Sequence, residues 1–568
     1  MSRRQVIAAA GGTGLLAATA GSAKAATTRR ARAAAGDGTP EQIHLTWGAD
    51  PASSVTVSWA SPGPAVRPRV LLGPGRAVPA VQRTYTDGLN GETVWTYHAE
   101  ITGLAPGSTH QYTVTADNDP GAPFASAFTT APRGRAPFRF TSFGDLATPN
   151  TQWVLSYGQS AYAVAAVESF QPLFHLLNGD LCYADLNPTV QPEVWRDFGN
   201  NNQSSAASRP WMPAPGNHEV EFDNGPQGFT SYLTRYRLPD NGVPGFRGRW
   251  YSFRVGSVLF VSLDADDVIY QDAGAFVAGP AALMPAASTG NPPIEPGTSF
   301  YIRGYSDGAQ TAWLARTLGA ARRDPSIDWI IAQMHQIACS SSATGNGSDL
   351  GIRQAWLPLF DRYQVDLVLN GHDHDYERSF PCRGFDNLVG TEVATGAPVQ
   401  TMRPHPVTTE DTGVFDTSQG TVHLVLGCGG TDVNLDDYGV DTADGMRQAK
   451  IFTKPNRPVP TSTAGVFARP AADAVEDAPW SARRDTSTGY GIAVFDVDPG
   501  APGGMTSIKV THYHAVGADP VNPATGEAGA PTPDYTEFET FTLVRPRSDR
   551  SGHSVGAPER SPVSVPGG

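Results

Sequence analysis

The stretch of sequence that decides the fold reads Val365-Asp366-Leu367-Val368-Leu369-Asn370-Gly371-His372-Asp373-His374. It begins as a mostly apolar run of strand length and ends in a glycine followed by histidine and aspartate side chains. In an open α/β sheet, the residues just past the carboxyl ends of the strands form the ligand site. The stretch therefore predicts a buried strand that brings imidazole and carboxylate groups to one edge of a sheet.

Four other parts of the chain carry polar donors at or just past a predicted strand. They are Gly144-Asp145 at the end of strand 138–144, Gly179-Asp180-Leu181-Cys182-Tyr183 after strand 173–177, Gly216-Asn217-His218-Glu219, and His335 after strand 329–333. Helical patterns at 152–170, 311–323 and 353–363 alternate with these strands and with further strands at 365–369, 421–426, 491–497, 507–513 and 535–544. This alternation predicts a layered α/β domain whose helices cover a sheet.

The donors at these strand ends form a candidate metal site. Two aspartates, a tyrosine, an asparagine and three histidines are available: Asp145, Asp180, Tyr183, Asn217, His335, His372 and His374. Seven such donors are enough for two ions, and mixed oxygen and nitrogen ligation without thiolate suits Fe, Mn or Zn. A phenol has an ordinary pKa of about 10, so a tyrosine ligand favours a strongly Lewis-acidic ion such as Fe(III).

Each motif also has an ordinary structural interpretation. A Gly-Asp pair after a strand is most often a turn or a helix cap, and a single histidine such as His335 can be a hydrogen-bonded core residue. All five motifs in this order, each at the end of a strand, favour the metal site over five separate structural explanations.

The first 25 residues have the order of an export signal. Ser2-Arg3-Arg4-Gln5-Val6-Ile7 is a twin-arginine pattern, a weakly apolar run follows it, and Ala23-Lys24-Ala25 offers small residues for cleavage. The apolar run is too short to span a bilayer. Residues 1–25 are therefore expected to direct the folded protein out of the cytoplasm, which predicts a secreted or extracytoplasmic product without a membrane span.

Four further regions follow this signal. Residues 26–41 are rich in Ala, Thr, Arg and Gly and are expected to be flexible. Residues 42–132 show short alternating strands, for example at 43–47, 54–59 and 110–114, with the spacing of a β-sandwich. Residues 133–546 hold the α/β domain, with Gly/Pro-rich surface insertions near 270–300 and 383–420, and residues 547–568 have the composition of a disordered tail.

Composition limits what the chain can bind. Its 568 residues carry 41 basic and 55 acidic side chains, a net charge of −14, which argues against binding along a track of nucleic-acid phosphates. Hydrophobic residues make up 40% of the chain, enough for a sizeable core. The four cysteines of an exported protein, Cys182, Cys339, Cys382 and Cys428, predict one or two disulfide bridges of undetermined pairing.

This constellation resembles the metallophosphoesterase superfamily and, within it, the purple acid phosphatases. Residues 179–183 match the family's GDxxY element, and residues 371–378 are similar to its GHxHxYER element. The resemblance implies a fibronectin type III-like β-sandwich at 42–132, followed by a layered α/β metallophosphoesterase domain with two sheets flanked by helices. It also implies that Fe(III) is held by Asp145, Tyr183 and His374, that Asp180 bridges, and that Asn217, His335 and His372 hold a divalent Zn, Mn or Fe ion.

The resemblance further implies a metal-dependent phosphoric ester hydrolase of the acid phosphatase type, acting on a small phosphate monoester. Two metal ions about 3.5–4 Å apart clamp the ester and lower the pKa of a bound water, and the resulting hydroxide attacks phosphorus. His218, next to Asn217, is the candidate general acid or phosphate contact. Its alternative role is a hydrogen bond to the partner of another ligand.

Two other functions remain open. After His335 the chain reads Gln336-Ile337-Ala338-Cys339-Ser340, without the further histidine and tyrosine that help members of the family to bind phosphate. A diester carries less charge and needs less cationic support, so a phosphodiesterase or phospholipase-like activity on the same metal core is the first alternative. The second is a non-enzymatic surface-binding protein that uses the sandwich, against which the complete set of seven donors argues.

Overall fold

The structure of the chain is a computed structural model that describes residues 37–549 except 74, 222, 272–274, 279–298, 303, 440, 455–472 and 518–533. The predicted signal at 1–25 lies outside the described residues, as do residues 26–36 of the stretch expected to be flexible and residues 550–568 of the expected tail. At the inner ends of those two stretches the chain is ordered. Glu41 opens the first strand, and Arg547 forms an ion pair with Asp549 at 2.6 Å.

The N-terminal domain contains eight strands: β1 (Glu41–Thr46), β2 (Val55–Ser61), β3 (Arg69–Leu72), β4 (Ala77–Pro79), β5 (Val81–Thr86), β6 (Thr93–Ile101), β7 (Thr109–Thr115) and β8 (Phe124–Thr129). One sheet has the order β1-β2-β6-β5 and the other the order β4-β3-β7-β8. Side chains of both sheets, among them Val57 and Val114, share one buried cluster, and Trp59 stacks on Tyr97 at 5.6 Å between ring centroids. The specific likeness to fibronectin type III domains stays a prediction.

Within its described residues, the second domain contains five α-helices and the remaining strands. The helices are α1 (Ser160–Phe170), α2 (Gln191–Ala206), α3 (Thr230–Arg235), α4 (Ala309–Arg323) and α5 (Leu350–Arg362). The strands from residue 138 to residue 370 are β9 (Phe138–Phe143), β10 (Phe174–Asn178), β11 (Trp211–Ala214), β12 (Tyr251–Val255), β13 (Val258–Ser262), β14 (Ala275–Ala278), β15 (Ser299–Ile302), β16 (Trp329–Gln333), β17 (Ser348–Asp349) and β18 (Leu367–Asn370). The later strands are β19 (Tyr376–Ser379), β20 (Cys382–Asp386), β21 (Gly390–Glu392), β22 (Pro398–Val399), β23 (Arg403–Pro406), β24 (Val414–Asp416), β25 (Val422–Leu426), β26 (Gln448–Phe452), β27 (Asp473–Asp477), β28 (Ser481–Arg484), β29 (Gly491–Asp498), β30 (Met505–Val516) and β31 (Asp534–Pro546).

Two seven-stranded sheets form the centre of this domain. The first has the order β11-β10-β9-β29-β30-β31-β24 and the second the order β12-β13-β16-β18-β25-β19-β28. Strands β9, β10 and β11 run parallel to one another, and so do β13, β16, β18 and β25. Parallel pairing places the carboxyl ends of several strands at one edge of each sheet, which is where the predicted donors follow.

The hydrophobic core lies between the two sheets. Phe140 of the first sheet meets Phe260 of the second edge-on, with ring centroids 5.2 Å apart. Helix α1 adds Val164 to this core, whereas Leu318 of α4 packs with Ile330 in a second cluster on the other face of the second sheet. A β-rich N-terminal domain followed by two sheets with flanking helices is the fold class predicted from the sequence, and it is confirmed. Among the described residues, no helix combines the length and the apolar character needed to cross a membrane.

One predicted boundary is wrong, and one helix is not predicted by the sequence. The helix expected at 152–170 begins at Ser160, because Leu155 and Gly158 adopt left-handed backbone angles (φ 58° and 81°) that end any earlier helical turn. Helix α2 is not predicted, because its sequence is rich in Asn, Gln and Ser and is polar on average. The insertion at 383–420 contributes strands β20 to β24.

The expected disulfide bridges are also absent. All four cysteines are free thiols, and each is buried. Cys182 and Cys428 lie in the main hydrophobic cluster, and Cys339 and Cys382 lie in the second one. They act as small apolar residues that fill the core.

The two domains share a hydrogen-bonded contact through helix α2. The Tyr112 hydroxyl donates to the carbonyl of Ala207 at 2.6 Å, and the amide of Ile43 donates to the side-chain oxygen of Gln203 at 2.9 Å. The sandwich therefore buttresses the helix that follows the Tyr183 loop along the chain.

Candidate metal centre

The predicted donors converge because each follows a parallel strand. In the first sheet, β9 leads to Asp145, β10 to Asp180 and Tyr183, and β11 to Asn217. In the second sheet, β16 leads to His335, and β18 to His372 and His374. The carboxyl edges of both sheets thus face one site. No more than 2% of the surface of each of four donor residues is exposed there: Asp145, Asp180, Tyr183 and His335.

Three of the donor atoms form a compact triangle. The Tyr183 hydroxyl donates to Asp145 Oδ1 at 3.0 Å and lies 3.2 Å from His374 Nε2. His374 Nε2 closes the triangle 3.3 Å from Asp145 Oδ1.

A second group of donors lies beside this triangle. His335 Nε2 is 2.9 Å from Asp180 Oδ2 and 3.3 Å from His372 Nδ1. One ligand atom from each of these three residues lies within 4.8 Å of the other two. His335 Nε2 is also 3.9 Å from Asp145 Oδ1, so the two groups adjoin. Asn217 stands next to Gly216, where an added Cβ atom would lie 2.5 Å from the amide nitrogen of Asp180, so the loops that carry Asn217 and Asp180 pack closely.

These spacings fit metal coordination. Two donors bound at right angles to one ion, each about 2.1 Å from it, are themselves about 3 Å apart. The donor separations of 2.9–3.3 Å within each group match that value. The donor set of carboxylate, imidazole, phenol and amide oxygen, without thiolate, suits Fe, Mn or Zn.

The histidines are oriented as metal-binding histidines usually are. His335 donates from Nδ1 to the carbonyl of Asn178 at 2.8 Å, and His374 Nδ1 lies 2.7 Å from Asp432 Oδ1. In each ring this bond fixes the tautomer and turns Nε2 toward the site. Asp432 was not identified from the sequence, because it follows β25 in a glycine-rich segment without a distinguishing pattern.

The buried carboxylates and imidazoles of the site shift one another's pKa values. Burial lowers the pKa of His335, but Asp180 and Asp145 outweigh that effect and raise the pKa to about 9. Burial likewise opposes ionisation of Asp180, yet His335 and His218 hold its pKa below the usual range. Burial, Asp145 and Asp180 raise the pKa of Tyr183 well above its ordinary value. The histidines and the phenol therefore hold protons that a bound cation would displace.

Unusual backbone conformations aim four of the donors into the site. Asp145, Asp180, Tyr183 and His372 have φ values of 57°, 49°, 58° and 75°, in the left-handed region that residues other than glycine rarely occupy. Gly179, which precedes Asp180, has φ 84°, and a Cβ atom there would lie 2.6 Å from the Cβ of His335. The glycine of this motif is therefore required by close approach as well as by its backbone angle.

Glu219 connects two of the ligand loops. It is fully buried and accepts hydrogen bonds from the amides of Asp180 at 3.0 Å, Leu181 at 2.8 Å and Gly216 at 2.7 Å. One carboxylate thereby fixes the turns after β10 and β11 together. Glu219 stands next to His218 in the Gly216–Glu219 motif, but the sequence alone does not indicate a role for it.

His218 lies at the open side of the centre. Its Nδ1 is 2.8 Å from Asp185 Oδ2, its Nε2 is 3.9 Å from Asp180 Oδ2, and its ring packs 4.6 Å from that of Tyr183. Burial lowers the pKa of His218, but Asp185 and Asp180 outweigh burial and raise the pKa to about 10. Asp185, two residues beyond the 179–183 motif, is a partner of His218 that the sequence pattern does not identify.

Known proteins match the chain in both domains. Residues 40–131 match the family model "Purple acid Phosphatase, N-terminal domain", and residues 138–376 match that of the calcineurin-like phosphoesterases. An uncharacterized protein of Mycobacterium tuberculosis (strain ATCC 25618 / H37Rv) is 41% identical over 524 residues, which cover 89% of this chain and 87% of that protein. An Fe(3+)-Zn(2+) purple acid phosphatase 12 of Arabidopsis thaliana is 24% identical over 361 residues, 61% of this chain and 66% of that protein.

A solved structure agrees at the level of the fold. The purple acid phosphatase PPD1 from yellow lupin (Lupinus luteus) seeds aligns with a TM-score of 0.57 at 17% identity, over 93% of this chain and 78% of its own. Together with the two family models and the arrangement of donors at the sheet edges, these matches identify the group. The chain belongs to the purple acid phosphatase-like members of the calcineurin-like phosphoesterase family and is a metal-dependent phosphoric ester hydrolase.

Proposed function

We propose that this protein is an exported acid phosphatase that hydrolyses small phosphate monoesters at a centre of Fe(III) and a divalent ion (Zn, Mn or Fe). The observation that carries the proposal is the division of the donor atoms into two adjoining groups, one of which contains a phenol. The iron–zinc relative from Arabidopsis thaliana supports the same pair of metals.

In this proposal the first triangle holds the iron. Asp145, Tyr183 and His374 supply a carboxylate, a phenolate and an imidazole, and the phenol loses its proton only to a strongly Lewis-acidic ion. Asn217, His335 and His372 would hold the divalent ion, and Asp180, whose Oδ2 lies 2.9 Å from His335 Nε2, would supply the carboxylate that the resemblance assigns to both ions. When bound, the two ions would acidify a water molecule and offset charge on the phosphate oxygens.

The protein groups then orient the ester and move a proton. Asp185 fixes the His218 ring through Nδ1, which leaves Nε2 beside Asp180 as the available donor. Held protonated at Nε2, His218 donates to the oxygen of the departing alcohol or to a phosphate oxygen. A monoester dianion gains most from this arrangement because its charge meets both the cations and the imidazolium.

One observation favours the alternative of a phosphodiesterase. The residues that follow His335, Gln336 to Ala338, are neutral and buried, so they add no cationic support for a second phosphate charge. A diester carries one charge less and is less dependent on such support. Parallel assays on an aryl phosphate monoester and the matching diester decide between the two, and a higher kcat/KM for the diester would refute the monoester proposal.

Export through the twin-arginine route is supported by the Ser2–Ile7 pattern. That route carries folded proteins, which suits a protein that takes up its metals before it leaves the cytoplasm. Replacing Arg3 and Arg4 with lysine is expected to leave the protein in the cytoplasmic fraction. Unchanged export of this variant would contradict the proposed route.

Metal analysis and the visible spectrum test the centre itself. The proposal expects one iron and one divalent ion per chain, a broad visible band, and loss of turnover with loss of the divalent ion in His335→Ala. His405→Ala is the matched control, since His405 is exposed and pairs with Asp386 at 3.4 Å. A colourless protein with two zinc ions, or an active His335→Ala variant, would overturn the assignment.

A further inference from the structure

We infer that Gln336, itself held by Asp266, is a positioning residue for Asn217 and thereby sets the affinity of the divalent-metal site. This inference rests on the proposed function, because it assigns Asn217 to the divalent ion. It adds two residues to the centre that neither the family motifs nor the sequence pattern identified.

The topology of the second sheet brings the two residues together. Strands β13 and β16 are parallel, with Ser262 paired to Gln333, so the segments that follow them leave the same edge. Asp266 lies in the short turn after β13, and Gln336 comes directly after His335 at the end of β16. Both side chains are fully buried.

Gln336 joins a carboxylate to the candidate ligand. Its Nε2 donates to Asp266 Oδ1 at 2.9 Å and to Asn217 Oδ1 at 3.4 Å. Both partners present oxygen atoms, so the glutamine must turn its nitrogen toward them. Asp266 in this way fixes the orientation of the Gln336 amide.

The fixed glutamine in turn selects one orientation of Asn217. If the Asn217 amide were reversed, its NH₂ group would face the Gln336 NH₂ group, and a hydrogen bond would be replaced by two opposed donors. The Asn217 oxygen therefore stays in place, and a carbonyl oxygen has a second lone pair available for a cation. Outer hydrogen-bond partners of this kind usually change metal affinity about 10- to 100-fold when removed.

The main chain at Gln336 does not depend on its side chain. Asn370 Nδ2 donates to the Gln336 carbonyl at 2.7 Å, which holds the loop after β16 independently. Truncation of Gln336 is therefore expected to remove the two side-chain bonds and to leave His335 in position. None of the bonds around Tyr183 and His374 involves Gln336 or Asp266.

The test compares metal affinities of full-length variants after dialysis has removed the divalent ion and left the iron. The affinity for Zn²⁺ is measured by isothermal titration calorimetry. Gln336→Ala and Asp266→Ala are expected to bind Zn²⁺ about 10- to 100-fold more weakly than the wild-type protein. Asp266→Asn keeps an acceptor for Gln336 and should bind Zn²⁺ close to the wild-type affinity. Gln191→Ala is the control for loss of a buried glutamine, since Gln191 bonds Asn224 and no candidate ligand.

The outcomes separate the inference from the proposed function. Weaker Zn²⁺ binding with iron still at one per chain supports the inference, and rescue by Asp266→Asn identifies the hydrogen bond as its cause. Wild-type Zn²⁺ affinity in Gln336→Ala, or equal loss of both metals, would refute the positioning role. A wild-type protein that takes up no divalent ion would instead refute the proposed centre.

Discussion

The Asp185→Asn substitution gives a direct test of the role of His218. Asp185 Oδ2 lies 2.8 Å from His218 Nδ1, and together with Asp180 it raises the pKa of that imidazole despite burial. Asparagine is nearly the same size and can still accept a hydrogen bond, but it carries no charge. The substitution therefore removes the electrostatic support of the imidazolium and leaves the packing in place.

The size of the effect follows from this one bond. A hydrogen bond to a charged group contributes about 1.5–3 kcal/mol, which corresponds to about 10- to 150-fold in rate if the bond acts in the transition state. We therefore expect kcat/KM to fall by that factor at unchanged metal content. Since His218 acts in its protonated form and Asp185 raises its pKa, the alkaline limb of the pH profile should move to lower pH.

A series of aryl and alkyl phosphates of different leaving-group pKa distinguishes two roles of His218, proton donation to the leaving oxygen and contact with a phosphate oxygen. If it protonates the leaving oxygen, Asp185→Asn should slow poor leaving groups more than good ones. If it contacts a phosphate oxygen, the loss should be similar across the series. Asp496→Asn is the control, because Asp496 of β29 forms an exposed ion pair with Arg139 of β9 and contacts no candidate ligand. Wild-type kcat/KM together with an unmoved alkaline limb would refute the reasoning.

Three further changes have defined outcomes. Asp432→Ala removes the partner of His374 Nδ1 and should weaken iron binding about 10- to 100-fold, as measured by iron content after dialysis. Tyr183→Phe should abolish the visible band while one divalent ion per chain remains, and an unchanged spectrum would exclude Tyr183 as the phenolate. Burial raises the pKa of Glu221 from 4.5 to about 7, so its contribution to stability is present below pH 4.5 and is lost as the pH rises through 7. Glu221→Gln should remove that loss, about 3 kcal/mol, between urea denaturation curves at about pH 4.5 and about pH 7.5.

The sequence predicted the convergence of the donors well because strand ends are readable. Predicted strands such as 138–144 and 329–333 end just before candidate donors, and parallel strands of one sheet end at a common edge. That rule gathers Asp145 and Asp180 at the edge of the first sheet and His335 and His372 at the edge of the second, whereas the meeting of the two edges is seen only in the structure. The structure then added the distances, which the periodicity of a sequence does not contain.

The supporting residues could not be predicted in the same way. Asp432 reaches His374 from a segment 58 positions further along the chain, and a glycine-rich segment separates it from the end of the predicted strand at 421–426. The thiol state of the cysteines was also misjudged, since an export signal makes disulfides possible without requiring them. Helix α2 owes its place to packing against the sandwich, as through Gln203, more than to its own sequence.

The left-handed backbone at four of the seven candidate ligands connects the fold to the proposed chemistry. A non-glycine residue in that region costs about 1–3 kcal/mol and persists only where its surroundings enforce it. Here hydrogen bonds between the ligand loops enforce these backbone conformations. Asp145 Oδ2 accepts from the amide of His372 at 2.9 Å, and Glu219 accepts from the amide of Asp180 at 3.0 Å. The ligand loops therefore hold one another in conformations that neither would adopt alone, with the donor atoms of each group 2.9–3.3 Å apart. Donors held in this way would need little reorganisation to bind an ion, and the backbone strain is part of the cost of that arrangement.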